Sequence, residues 1–259
     1  MSGQPGVRNP FDSDPAARRY AGGRPYYHRA ALDLAMGQQE IGPARLAVDV
    51  GCGTGLSALA VSDLADHVIA IDASAAMLRA ARPHPAVRYL VARAERIPAA
   101  DKTADLATVG AAFHWFDQAA AWAELARILR DGGVLVVYSD FFHGRLTGQP
   151  AFTTWLTGAY LPRYPSPIRH AQFDPQAAAS AGFGRVSHSE SEYQVPFTAS
   201  DMADYLLSQS NAAAVIESGA ISAEALRRQV VDETAAFFGG GERAVFGVRV
   251  WTAVRQPRP

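Results

Sequence analysis

The segment Val48-Asp49-Val50-Gly51-Cys52-Gly53-Thr54-Gly55-Leu56-Ser57 constrains this chain more than any other. An apolar run (Leu46, Ala47, Val48, Val50) enters a loop with glycine at every second position, and a helix-like run from Leu56 to Ala65 follows at once. Strand, tight glycine turn and helix in that order bring backbone N–H groups close to a nucleotide. A second apolar run, Val68 to Ile71, ends in Asp72, 21 residues after Gly51. At that separation an acid meets the hydroxyls of a bound ribose. The glycine spacing also discriminates between cofactors. A dinucleotide loop needs Gly-x-Gly-x-x-Gly, whereas here Leu56 takes the last position and the loop reads Gly-x-Gly-x-Gly. Leu56 is therefore the objection to an NAD-dependent dehydrogenase.

Strand and helix signals alternate from about residue 45 to 139. The expected strands are 45–50, 67–71, 87–91, 105–110 and 133–139, with helices at 55–65, 74–82 and 116–130 between them. This alternation predicts an α/β fold, a mostly parallel Rossmann-like sheet with helices on both faces, whose ligands bind beyond the carboxyl ends of the strands. Beyond residue 139 the pattern breaks. Residues 140–174 hold four prolines and no clean periodicity. A helix is expected from about Pro175, a strand over 185–193, helices at 200–208 and 222–238, and a last strand over 244–255. Residues 1–259 thus form a single domain, with 1–40 as a helical lead-in and 140–174 and 196–240 as lid or substrate-binding insertions.

Composition removes several classes of function. The net charge is −1, with no basic stripe, so nucleic acid is not an expected partner. No apolar run approaches the ~20 residues of a membrane span, and the first thirty residues lack the apolar core of a signal peptide. A cytoplasmic location is expected. Cys52 is the only cysteine, which excludes an internal disulfide and a zinc–cysteine cage. It reads as a small buried side chain in the glycine loop. No metal site is expected, and oligomeric state is left open. Gly-x-Ser-x-Gly is absent, which argues against a serine hydrolase.

With the glycine loop and Asp72 in place, the chain resembles the class I S-adenosylmethionine (SAM)-dependent methyltransferases over roughly residues 10–255. It is similar especially to the small-molecule subgroup that includes trans-aconitate methyltransferase-like enzymes. Tyr20-x-x-x-Arg24-Pro25-Tyr26, Ala94-Glu95-Arg96-Ile97-Pro98 and Ala112-Phe113-His114-Trp115-Phe116-Asp117 carry the rest of that resemblance. It implies a seven-stranded sheet with an antiparallel final strand, SAM as cofactor and a small-molecule methyl acceptor. By the same resemblance Gly51 and Gly53 approach the methionine part of SAM, and Asp49 lies below it. Asp72 takes the ribose hydroxyls. Ala73 and Met77 flank the adenine, and Ala94 and Glu95 meet its edge. Arg93 departs from the family pattern, in which an acid often precedes the Ala-Glu pair. Ala111 to His114 pass beneath the methyl group, and Tyr20 and Arg24 close over the cofactor.

Methyl transfer needs a protein base only when the acceptor's nucleophile is protonated. His114 is the candidate base or hydrogen-bond donor to the acceptor, with Trp115 beside it. From Phe141 to Phe173 there is no aspartate or glutamate, while Arg145, Arg163 and Arg169 stand among aromatics such as Phe142. Arginine holds carboxylates through paired hydrogen bonds, so these residues predict a carboxylate acceptor and a methyl ester product. The alternatives are N-, O- or C-methylation of an aromatic or heterocyclic natural-product intermediate, or a protein that binds SAM without catalysis.

Overall fold

The computed structural model describes residues 10–39, 41–166 and 173–257. Seven strands form one sheet in the order β3-β2-β1-β4-β5-β7-β6. They are β1 (Ala44–Val50), β2 (Ala65–Asp72), β3 (Val87–Val91), β4 (Ala104–Gly110), β5 (Leu129–Leu146), β6 (Phe183–Pro196) and β7 (Arg243–Arg255). The first five pair in parallel, and β7 runs antiparallel to both β5 and β6. After β3 the chain returns to lay β4 beside β1. That reversal of strand order leaves a crevice at the carboxyl ends of the two strands.

The sheet is buried on both sides because its strand residues alternate between two cores. Val48, Val50, Ala107, Val109, Leu135 and Val137 face one, packed under α5 (Gln118–Ile128) and α8 (Pro175–Ser180). Ala47, Leu106, Val134 and Val136 face the other, under α2 (His28–Gln38) and α3 (Leu56–Val61). This two-sided burial explains why the central strands are mostly apolar on both faces.

Several elements differ from the sequence expectations. Helix α3 is shorter than 55–65, because the Ser62 hydroxyl turns onto the Leu59 carbonyl (2.7 Å) and competes with the next helical turn. Helix α4 (Ala75–Arg79) stops short of 82, where Pro83 disfavours helical backbone at the residue before it. Strand β5 runs on to Leu146, held by β7 through the pairs Phe142↔Phe246 and Leu146↔Ala244 across a bulge. The proline-containing segment after it is helical: α6 (Pro150–Trp155), a π turn at Leu156–Tyr160 and α7 (Leu161–Arg163). Pro150 opens α6 from its first turn, where its missing N–H does no harm.

The second insertion holds α9 (Ala199–Leu207), α10 (Ser210–Glu217) and α11 (Ala223–Thr234); α10 lies where no helix was expected. Thr198 and Asp201 form a reciprocal capping box at the start of α9. The two insertions build a third core from Phe152, Tyr160, Met202, Leu206 and Leu226, which packs on Phe246 of β7. The lead-in helix α1 (Asp14–Gly23) docks on it so closely that a Cβ on Gly23 would stand 2.2 Å from the Asp204 carbonyl oxygen.

Candidate active site

The glycine loop, the carboxyl ends of β2, β4 and β5, the lead-in and the lid line one cleft of about 870 Å³. Gly51, Gly53 and Gly55 have φ of 72°, 54° and 79°, a region open chiefly to glycine. The turn is fixed because the Gly51 and Cys52 N–H groups both donate to the Ile71 carbonyl, at 2.8 and 2.9 Å. A Cβ on Gly51 would stand 2.5 Å from that of Ala112, and one on Gly55 2.5 Å from the Tyr89 hydroxyl. At Gly53 the nearest neighbour would be the flexible end of Met77, at 3.1 Å. Gly51 and Gly53 therefore present bare backbone to the cleft.

Asp72 stands at the end of β2 on the cleft wall. Its Oδ2 accepts from the Gly53 N–H (2.9 Å) and its Oδ1 from the Ser74 N–H (2.8 Å). These bonds favour the carboxylate but do not offset burial, which raises its pKa. A carboxylate offers about four acceptor positions, so each oxygen keeps one for a ligand hydroxyl. Ser74 caps α4 by accepting from the Met77 N–H, which sets Met77 beside the loop.

Asp49 does not line the cleft itself; it is wholly buried under the loop, on the α3 side of the sheet. Its Oδ2 accepts from Ser57 Oγ (2.5 Å) and its Oδ1 from Thr108 Oγ1 (2.7 Å), tying β1 to α3 and β4. Burial pushes its carboxyl up to about 6 against the pull of those hydroxyls. Glu95 does reach the cleft, but both its oxygens hold protein groups: Oε1 the Asp117 N–H (2.9 Å) and Oε2 Arg93 Nε (3.0 Å). It staples the loop after β3 to the start of α5.

The structure brings Tyr20, Arg24, Gly51, Gly53, Asp72, Ala73, Met77, Ala94, Glu95, Ala111, His114, Trp115 and Phe142 to the same cleft. Ala111 has φ of 51°, and a tight turn follows it into the short helix Phe113–Trp115 that carries His114. His114 is buried, with its ring 5.1 Å from that of Trp115. Arg145 and Arg163 do not join them. Arg145 pairs with Glu192 on β6 and Arg163 with Glu233 on α11, each at 2.5 Å, and neither lines the cleft. The acid-free stretch finds its carboxylates on elements distant in sequence. Arg169 lies outside the described residues.

The cleft also contains residues that sequence reasoning missed. Asp140 follows the apolar run of β5, and Tyr205, Gln209 and Asn211 come from the lid. Asp140 carried a legible signal, since an acid just past an apolar strand also singled out Asp72. Arg24 lies 3.8 Å from Asp140 and stacks on the Tyr20 and Tyr205 rings at 5.0 and 5.7 Å. No described helix is long and apolar enough to cross a membrane, and no described group of acids, histidines and cysteine is placed to hold a metal ion.

A sheet of this order, with a left-handed glycine loop facing an acid at the end of the next strand, is the arrangement of the class I SAM-dependent methyltransferase fold, and the comparisons point to the same class. Residues 48–137 match the family model described as a methyltransferase domain. An uncharacterised methyltransferase of Mycobacterium tuberculosis is 37% identical over 123 residues, 46% of this chain and 48% of its own. A malonyl-[acyl-carrier protein] O-methyltransferase of Pectobacterium atrosepticum is 41% identical over 90 residues, 34% of this chain and 36% of its own. The chain thus spans half or less of the length of these relatives. Among solved structures, a provisionally assigned type II methyltransferase of Anaeromyxobacter dehalogenans superposes with a TM-score of 0.61 at 25% identity, covering 90% of this chain and 97% of its own.

Proposed function

We propose that this protein transfers a methyl group from SAM to a small molecule held between the sheet and the lid. The observation that carries the reading is the meeting of Gly51, Gly53, Asp72 and Ala111 on one cleft that runs on past His114 to Phe142 and Tyr205. When bound, SAM supplies a methyl on a sulfonium, which passes in line to the acceptor's nucleophile and leaves the electron pair of the broken C–S bond on sulfur. Gly51 and Gly53 admit the methionine part against backbone, and Asp72 accepts from the ribose hydroxyls. Ala73, Met77 and Ala94 sandwich and edge the adenine. Tyr20 and Arg24, brought over the sheet by α1, close the methionine end. His114 lies at the junction of the two halves, placed to hold or take an acceptor proton. Orientation of this kind contributes up to roughly 7–11 kcal/mol to such displacements.

Two acceptor classes remain. A phenol, amine or heterocycle is supported by the aromatic lining of the lid and by the outward pairing of Arg145 and Arg163. A carboxylate is supported by the likeness to malonyl-[acyl-carrier protein] O-methyltransferases. The test is release of S-adenosylhomocysteine (SAH) by the purified protein with di- and tricarboxylates, phenols, amines and nitrogen heterocycles. Turnover confined to the acids would select ester formation; turnover with the other acceptors would select the first class. SAH binding without turnover on any of them would favour a protein that binds the cofactor without catalysis.

A further inference from the structure

Four buried polar atoms group around Asp140, and two of them, on Asp140 and Arg24, belong to the cleft wall. Asp140 Oδ2, Arg24 Nε, Tyr27 Oη and Tyr193 Oη are all shielded from solvent and make no hydrogen bond among the described residues. Buried polar groups are nearly always bonded, so a cluster of exceptions beside a cavity marks the place of a polar ligand. Asp140 is the acid among them, and it lines the cleft beside Arg24. Its side chain is 2% exposed, and Arg24 Nη1, at 3.8 Å, is too far to bond its Oδ1 well. Burial raises its carboxyl above the ordinary range. Arg24 opposes that rise, and so, more weakly, does the Tyr27 hydroxyl, which faces it without closing a well-formed bond.

Register places this carboxylate on the acceptor side. Asp49 pairs with Thr108 and Gly110 with Tyr138, so β5 lies two strands from the glycine loop, about 10 Å across the sheet. Asp140 is two residues further along β5, beyond the carboxyl end of β4. The charge balance of the cleft points the same way. Its described lining holds four acids, Asp12, Asp72, Glu95 and Asp140, against two arginines, Arg24 and Arg93. Arg93 is paired with Glu95, and Arg24 has Asp140 as its nearest carboxylate.

On the reading that the protein is a methyltransferase, we propose that Asp140, steadied by Arg24, is a specificity-determining residue that binds a hydrogen-bond-donating group of the acceptor. The acceptor is thereby an ammonium, amine or hydroxyl compound with an apolar or aromatic body, and a carboxylate is repelled. The donor group sits on Asp140 Oδ2, while the body lies along Phe142 and Tyr205, whose rings meet edge to face at 5.6 Å.

The test measures binding of benzylamine and benzoate to the SAH-loaded protein by calorimetry, for wild type and Asp140→Asn. Benzylamine, cationic at neutral pH, is expected to bind wild type at least tenfold more tightly than benzoate. Asp140→Asn should lose at least tenfold for benzylamine, gain for benzoate, and keep its SAH affinity within about twofold. Equal or inverted preference in wild type would overturn the proposal without reference to any variant. Retained benzylamine affinity in Asp140→Asn would overturn it too, and lost SAH affinity would move Asp140 to the cofactor. Wild type that bound no SAH would remove the methyltransferase reading and this proposal together.

Discussion

Gly51 and Gly53 are both left-handed, yet they do different work. A Cβ at Gly51 collides with Ala112, whereas one at Gly53 meets only the movable end of Met77. A left-handed alanine costs roughly 1–2 kcal/mol in either place, so Gly51→Ala should lower Tm by clearly more than Gly53→Ala. Gly53→Ala should lose SAH binding while staying folded. Thermal unfolding and calorimetry on the pair check this, and equal Tm losses would contradict it. Asp49 gives a second residue-scale prediction. A free aspartate titrates near 3.8 and Asp49 near 6 in the fold. Between those pH values the folded chain keeps a proton that the unfolded chain has released. The stability this group contributes is therefore present at low pH and lost as pH rises from about 4 to about 6, by up to about 3 kcal/mol. Asp49→Asn abolishes the titration, so its Tm relative to wild type should improve between pH 4 and pH 7. A constant difference across that range would show that Asp49 does not titrate as described.

At the scale of elements, the central sheet was legible because its strands are doubly buried and its turns are marked by glycine. Strands β1, β3 and β4 lie within a residue of expectation. The lid was not legible, for a specific reason. Residues 141–166 looked basic and irregular because local sequence shows charges but not their partners, and Glu192 and Glu233 arrive from β6 and α11. The helix α6 and the π turn hide behind prolines that begin or follow helical turns rather than break them. Arg145→Ala and Arg163→Ala should accordingly leave SAH binding and turnover within about twofold of wild type, and each should cost under about 1 kcal/mol of stability. A rise in acceptor KM of tenfold or more in either variant would restore the lid arginines to the site. Of the cleft, the cofactor half was largely legible, since Gly51, Gly53 and Asp72 are fixed by one turn and one strand end. Beyond it, His114, Trp115 and Phe142 were legible and Asp140 carried a signal, whereas Tyr205 and Gln209 reach the cleft only because the lid helices fold over β5.

Across the whole molecule, two cores sandwich the sheet and a third roofs its carboxyl edge. The lead-in joins roof to sheet: Arg79 of α4 pairs with Asp14 at its start, while Arg19 pairs with Glu217 of α10. Gly23 lets α1 lie against α9, and that contact aims Tyr20 and Arg24 into the cleft. Gly23→Ala should lever α1 away, weakening SAH binding several-fold with only a modest fall in Tm; unchanged affinity would show that the lead-in does not shape the cofactor end. The proposed hold of the glycine loop and Asp72 on SAM rather than a dinucleotide is tested by calorimetry, with SAH and NADH titrated into wild type and into Asp72→Asn. Binding of SAH alone is expected, weakened about tenfold or more in the variant, since a hydrogen bond to a charged group is worth roughly 1.5–3 kcal/mol. Binding of NADH in place of SAH, or SAH affinity indifferent to Asp72→Asn, would contradict it.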